Sequence, residues 1–306
     1  MDNSMNALES VPNVSEGRRP QVLTALQSAV STVDGAHLVD MHRDMDHNRA
    51  VFTLMGTAEA VVQADLQLAK AAVEQIDLRQ HEGVHPRIGA VDVVPLVPLP
   101  PTSESTAIQW AHELGEQIWE QLRVPVYLYG QAARRPSHRR LALLRRGGFA
   151  ALAQAMRDDP ERHPDIGDPV PHPTAGATAV GVRPPLIAFN VVLETDRVEV
   201  AQAIARQIRQ VNGGLPGVQA LGFRLASRGK VQVSVNLLHP DRTPLHQVVE
   251  AIRRAAAQWG VQVGPSELVG LIPLPAVLAA AAGALGLPQL RPEQVLEWQW
   301  TRCQRG

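Results

Sequence analysis

Seven prolines crowd the 26 residues PERHPDIGDPVPHPTAGATAVGVRPP, positions 160–185. Proline lacks the N–H that helices and central strands use, so this density predicts neither element there. On each side of it the chain runs through the same order of elements. Before it, the patterning predicts a strand near 8–14, a helix over about 20–33, strands in HLVDM and RAVFTLMG, a helix over AEAVVQADLQLAKAAVEQID, and the apolar strand IGAVDVVPLVPL. A helix over 103–122 opening at a Ser/Thr/Glu cap cluster, a short strand PVYLY and helices that include SHRRLALLRR are additions to this unit. After the proline segment come LIAFNVVLE, a helix over VEVAQAIARQIRQV, strands in VQALGFRLA and KVQVSVNLL, a helix over PLHQVVEAIRRAAAQWG, and a strand in SELVGLIPL. The fold class is therefore α/β (α+β), with two ferredoxin-like β-α-β-β-α-β subdomains side by side. The expected division is 1–178, 179–290 and a tail over 291–306. A long irregular segment inside a compact protein is often a binding loop, so 160–185 is expected both to link the halves and to line a site.

Of the 306 residues, 45% are hydrophobic and 19% charged, an ordinary globular composition long enough to bury a large core. The formal net charge of −1 provides no field to gather nucleic acid or an anionic membrane, so neither is an expected partner. The opening MDNSMNALES has no basic flank, and no later segment reaches bilayer-spanning length without Pro, Gly or charge, which makes a cytoplasmic protein the default. Cys303, the only cysteine, excludes an intramolecular disulfide and suits a reducing compartment.

One motif offers a metal. In HEGVHPR, residues 81–87, His81, Glu82 and His85 match the H-E-x-x-H pattern, whose histidines share a helical face and bind zinc. Gly83 interrupts the segment, and Pro86 pushes His85 toward extended backbone, so the segment reads as a loop and no metal is expected. Glu104 could supply a third ligand, so local backbone chemistry is what weakens the zinc hydrolase reading. No G-x-S-x-G, phosphate loop, cysteine cluster or dinucleotide-binding glycine motif is present. What remains is polar residues in turns: Asn13, Ser15 and Glu16 in VPNVSEG; Asp40, His42, Asp44, Asp46, His47, Asn48 and Arg49 in DMHRDMDHNR; His85 and Arg87 in VHPRIGAVD. Each has a plainer alternative. Ser15 and Glu16 can cap a helix, the acidic run can be a solvated hairpin, and His85 can simply bond its own loop.

Together, VPNVSEGRR, DHNRAVFTLMG, HPRIGAVDVVPLVP, PVYLYGQAARRP, HPTAGATAVGVRPPLIAFNVVLET and SELVGLIPL resemble, in order and spacing, the glutamate formimidoyltransferase (formiminotransferase) family, over about residues 9 to 280. The resemblance implies two formiminotransferase subdomains with a groove between them, usually a homodimer, and here the monofunctional type without a cyclodeaminase domain. It also implies transfer of the formimino group of N-formimino-L-glutamate to N5 of tetrahydrofolate, a late step of histidine degradation, with folate as co-substrate and no metal. By that match His85 is the general acid/base, with Asp40 and Asp44 to hold or tune it. Arg49 and Arg87 would pair with substrate carboxylates, while Asn13 and Asn48 would orient amide or amidine groups. Asp165, Gly167, Gly176, Ala177, Thr178 and Gly181 would contribute to the folate site. Formyl transfer from N-formyl-L-glutamate and a non-catalytic folate-binding protein are the alternatives, and His42 or His47 can share the proton role.

Overall fold

The computed structural model describes residues 6–287 and 290–305, and the chain divides into two compact units, 1–184 and 185–306. In the first, β1 (Ala7–Ser10) and β2 (Asn13–Val14) form one interrupted strand, broken at Pro12, which cannot donate to a ladder. Then come α1 (Pro20–Val30), β3 (Ala36–Asp44), β4 (Arg49–Thr57), α2 (Ala58–Gln75), β5 (Val91–Leu99), α3 (Glu104–Leu122) and β6 (Val126–Gly130). Thr57 accepts from the Ala60 amide to start α2, and Ser103 accepts from the Thr106 amide at 3.1 Å to start α3, the cap cluster legible in the sequence. Through β5 the spatial order is β3-β4-β1/β2-β5, all antiparallel, which is the ferredoxin-like arrangement expected.

The proline-rich join requires a correction. After α4 (Leu141–Leu144) and α5 (Gly148–Asp158), residues Thr178–Val182 form a fully buried strand, β7, which lies between β5 and β6 and is parallel to both. The prolines fall at 160, 164, 169, 171 and 173 and then at 184 and 185, leaving ATAVGV free of them. The average composition hid a central strand. The run SHRRLALLRR also differs: a 3₁₀ turn over Pro136–Arg139 and the single turn of α4 replace a longer helix, and Gly147, at positive φ, breaks the chain before α5 opens at Gly148.

The sheet has two differently dressed faces. Along β6, Val126 and Leu128 join the core under α1–α3, while Tyr127 and Tyr129 join a second cluster with Leu144, Leu152 and Met156 of α4 and α5. Fully burying each large side chain contributes roughly 1.5–3 kcal/mol.

The second unit runs β8 (Ile187–Leu193), α6 (Val198–Ile208), β9 (Val218–Leu225), β10 (Lys230–Leu237), α7 (Leu245–Gln258) and β11 (Val263–Val269), in antiparallel order β11-β8-β10-β9. The repeat of element order is borne out. The strand expected in SELVGLIPL stops at Val269, because Gly270 takes positive φ and Pro273 caps α8 (Leu274–Leu285); α9 (Leu296–Arg305) lies in the expected tail. Among the described residues no helix is long and apolar enough to cross a membrane.

One core residue carries a testable pH dependence. Asp65 of α2 is 1% exposed beside the Ser10 hydroxyl. Burial pushes its carboxyl up to about 8, and Ser10 offsets this only in part. The unfolded chain releases this proton near the ordinary value of about 3.9, so between about pH 4 and 8 the native state binds more protons and stability falls as pH rises. Asp65→Asn removes that slope. The gap between the urea midpoints of variant and wild type should widen in the variant's favour from pH 5 to pH 8; a constant gap would mean that Asp65 is ionised in the native protein.

Candidate active site

The turn between β3 and β4 brings the first candidates together. Asp44 and Arg49 face each other at the end of the hairpin. Asp44 accepts from the His47 amide at 2.8 Å and pairs with its Nδ1 at 2.9 Å. Burial opposes ionisation of Asp44, but the His47 bonds outweigh it and hold the carboxyl at about 2. Asn48 sits in the left-handed region at φ 47°, which Asn tolerates. Its amide accepts from Gly17 N at 3.0 Å and donates to the Glu82 carbonyl at 2.9 Å, while its own carbonyl meets His81 Nε2 at 2.9 Å. Asn48 thereby ties the segment after β2, the hairpin turn and the HEGVHPR loop into one body. That loop is not helical, as expected.

His85 stands beside this turn, its ring centroid 5.8 Å from that of His47 and edge-on to it. Nδ1 lies 2.9 Å from the Pro86 carbonyl and donates to it, which assigns the lone pair to Nε2, 2.7 Å from Nη1 of Arg49. Burial, then the charges of Arg49 and Arg145, then His47 hold His85 well below the usual histidine value. At neutral pH it is therefore a neutral imidazole. Arg49 is itself lowered to about 10 by burial and by Arg145, against the opposing pull of Asp92 and Asp44.

Arg87 turns back on its own loop. Its guanidinium donates to the His85 carbonyl at 2.7 Å and to the Gly83 carbonyl at 3.1 and 3.2 Å. Ser15 donates to the Gly89 carbonyl at 2.7 Å, and Glu16 accepts from the Arg18 and Arg19 amides just before α1. Asn13, on β2 opposite Val51 and Val93, donates to the Val11 carbonyl. Asp40 lies at a bulge in β3 opposite Thr53.

The residues expected at the folate site divide into two groups. Gly176 takes φ 71°, and a Cβ there would collide with the Ile88 carbonyl. The Ala177 amide donates to that same carbonyl at 2.9 Å, and the Thr178 hydroxyl donates to the Val91 carbonyl at 2.9 Å. These three brace residues 88–91, where the His85 loop enters β5. Gly181 packs against the ring and carbonyl of Tyr129. Asp165 instead is buried behind β6, bonded to His138 Nδ1 at 2.6 Å and to the Leu128 amide at 2.8 Å, and Gly167 is pressed against Trp119 of α3.

Two residues of the cluster had not been singled out. Asp92 of β5, 1% exposed, accepts from the Ile88 amide at 2.7 Å and pairs with Arg145, which follows α4. A lone carboxylate inside the apolar run AVDVVPLV was the available signal for Asp92; Arg145, one of four arginines in SHRRLALLRR, had none.

The site is thus a neutral imidazole among guanidiniums, a setting for moving protons beside carboxylate groups. Comparison with known proteins agrees with the order of elements. The model of the formiminotransferase domain's N-terminal subdomain matches residues 7–183, and that of the formiminotransferase domain matches 188–285. The chain is similar to glutamate formimidoyltransferase of Streptococcus pyogenes serotype M1, 39% identical over 90% of this chain and 91% of that protein. It is also similar to glutamate formimidoyltransferase of Thermoplasma acidophilum, 39% identical over 96% and 97%. With formimidoyltransferase-cyclodeaminase of Gallus gallus it shares 42% identity over 90% of this chain and 51% of that protein. Two adjoining domain matches and this identity along nearly the whole length place the chain in the formiminotransferase family.

Proposed function

We infer that this chain transfers the formimino group of N-formimino-L-glutamate to N5 of tetrahydrofolate, releasing L-glutamate. Among the site's features, the observation that best supports a chemical role is the His85–Arg49 contact: a neutral imidazole whose Nε2 lone pair is held by a guanidinium N–H. The donor carries two carboxylates, and a guanidinium fork suits a carboxylate. When a donor carboxylate draws Arg49 away, Nε2 is freed and the nearest cation is neutralised, so the basicity of His85 rises as substrate arrives.

The N5 amine attacks the amidine carbon, forming a C–N bond and a tetrahedral intermediate. His85 Nε2 takes the proton that N5 must lose and delivers it to the departing glutamate nitrogen as the old C–N bond breaks. Asp44 acts through His47, fixing the ring that packs edge-on to His85. Asn48 and Arg87 hold the loop, and Gly176, Ala177 and Thr178 support its exit on the side proposed to receive folate.

The test is to incubate the protein with tetrahydrofolate and either N-formimino-L-glutamate or N-formyl-L-glutamate. 5-Formiminotetrahydrofolate should form in step with glutamate release from the first donor. Product from the formyl donor alone would replace this reading with formyl transfer.

A further inference from the structure

Arg145 is not accounted for by the proton-transfer steps. Its side chain is only 13% exposed and pairs with Asp92, yet its Nε is buried without a hydrogen-bond partner among the described residues. The start of α5 lies against the loop that bears His85: a Cβ on Gly148 would sit 3.5 Å from the Arg87 carbonyl. Arg145, at the C-terminal end of α4, therefore stands near the loop that bears His85, and its charge acts on both His85 and Arg49. Arg49, Arg87 and Arg145 bring three guanidiniums to the site against two carboxylates, Asp92, which pairs with Arg145, and Asp44, which is engaged by His47. A site so short of negative charge is suited to an anion. Arg87, whose fork is taken by loop carbonyls, does not fill that role.

We propose that Arg145, held in place by Asp92, forms with Arg49 a two-guanidinium clamp for the two carboxylates of the donor, and so determines preference for a dicarboxylate donor. The proposal rests on the formimino-transfer reading. Asp92 fixes the direction of Arg145 while its own second oxygen anchors Ile88, so the clamp and the His85 loop share one support.

The experiment compares kcat/KM for N-formimino-L-glutamate and for formamidine, a formimino donor without carboxylates, in wild type, Arg145→Gln and Arg145→Lys. Arg145→Gln should lower the formiminoglutamate value by about 30-fold or more, chiefly through KM, and the formamidine value by only a few-fold. Arg145→Lys should recover part of the difference, since it restores charge without the fork. Both donors are measured on one preparation, so their ratio is unaffected by any unfolded fraction. An unchanged ratio overturns the proposal, whatever the absolute loss. If wild type makes no product from formiminoglutamate, the transfer reading fails; if either donor gives no rate, the clamp is judged by calorimetry with L-glutamate. Binding to wild type weakened at least about tenfold in Arg145→Gln supports it, and equal binding or none to wild type overturns it.

Discussion

Replacing His85 with alanine is expected to lower turnover by roughly a hundred- to ten-thousandfold, the range for loss of a positioned general acid or base, while folate affinity stays within a few-fold of wild type. The structure adds a direction in pH. Burial and the charges of Arg49 and Arg145 depress His85, so in the free enzyme the limb of kcat/KM that reports its protonation lies below pH 6.5. Once a carboxylate neutralises Arg49, the corresponding limb of kcat should lie at higher pH, and His85→Ala should lose both. The same depression has a consequence for folding. Below pH 6.5 the unfolded chain takes up a proton at this residue that the native chain does not, so wild type loses stability there and the variant loses less. His81→Ala is the control. His81 bonds the Asn48 carbonyl rather than sharing the environment of His85, so its loss should be mild, about 1 kcal/mol of local support. Equal damage from both substitutions, with activity removed by chelator and restored by zinc, would revive the metal-site reading of HEGVHPR.

How far the sequence discloses this protein depends on the range of the interactions involved. The elements of both units follow from periodicities a few residues long, and the caps at Thr57 and Ser103 act within one turn. The loop character of HEGVHPR follows likewise from the adjacent Gly83 and Pro86. The buried strand Thr178–Val182 was hidden because the proline-free run 174–183 is diluted by the enrichment around it. The site was legible only to the extent that its members are neighbours in sequence. Asp44, His47, Asn48 and Arg49 lie on one turn, and His85 and Arg87 on one loop. The Asp92–Arg145 pair is made by packing α4 on the far face of the sheet, and nothing local to either residue announces the other. The direction of the Arg87 fork is also a property of the folded loop alone: its residue type suits a carboxylate, but its geometry favours backbone carbonyls.

The second large effect is expected from a residue with no functional group. A Cβ on Gly83 would collide with the His47 carbonyl and crowd the Asn48 side chain. The φ of Gly83 is not in the left-handed region, so alanine meets no backbone penalty there and its effect is steric. The obstructing atoms are backbone of the hairpin turn, which is fixed by the Asp44–His47 bonds and by Asn48, so the loop is the part that yields. Moving it carries His85 away from Arg49 and His47, and misplacement by about 1 Å costs on the order of a hundredfold in rate. Gly83→Ala should therefore lose roughly a hundredfold in kcat while keeping its far-UV spectrum and most of its thermal stability, since no core side chain is disturbed. Asn48→Gly tests the same coupling from the other side: glycine keeps the positive φ but removes the amide bonds to Gly17 and Glu82, and it should lose activity in the same direction. Full activity in Gly83→Ala would show that close packing of the loop on the hairpin is not what positions His85. Loss of activity together with global unfolding would place these residues in the stability of the unit rather than in the alignment of its imidazole.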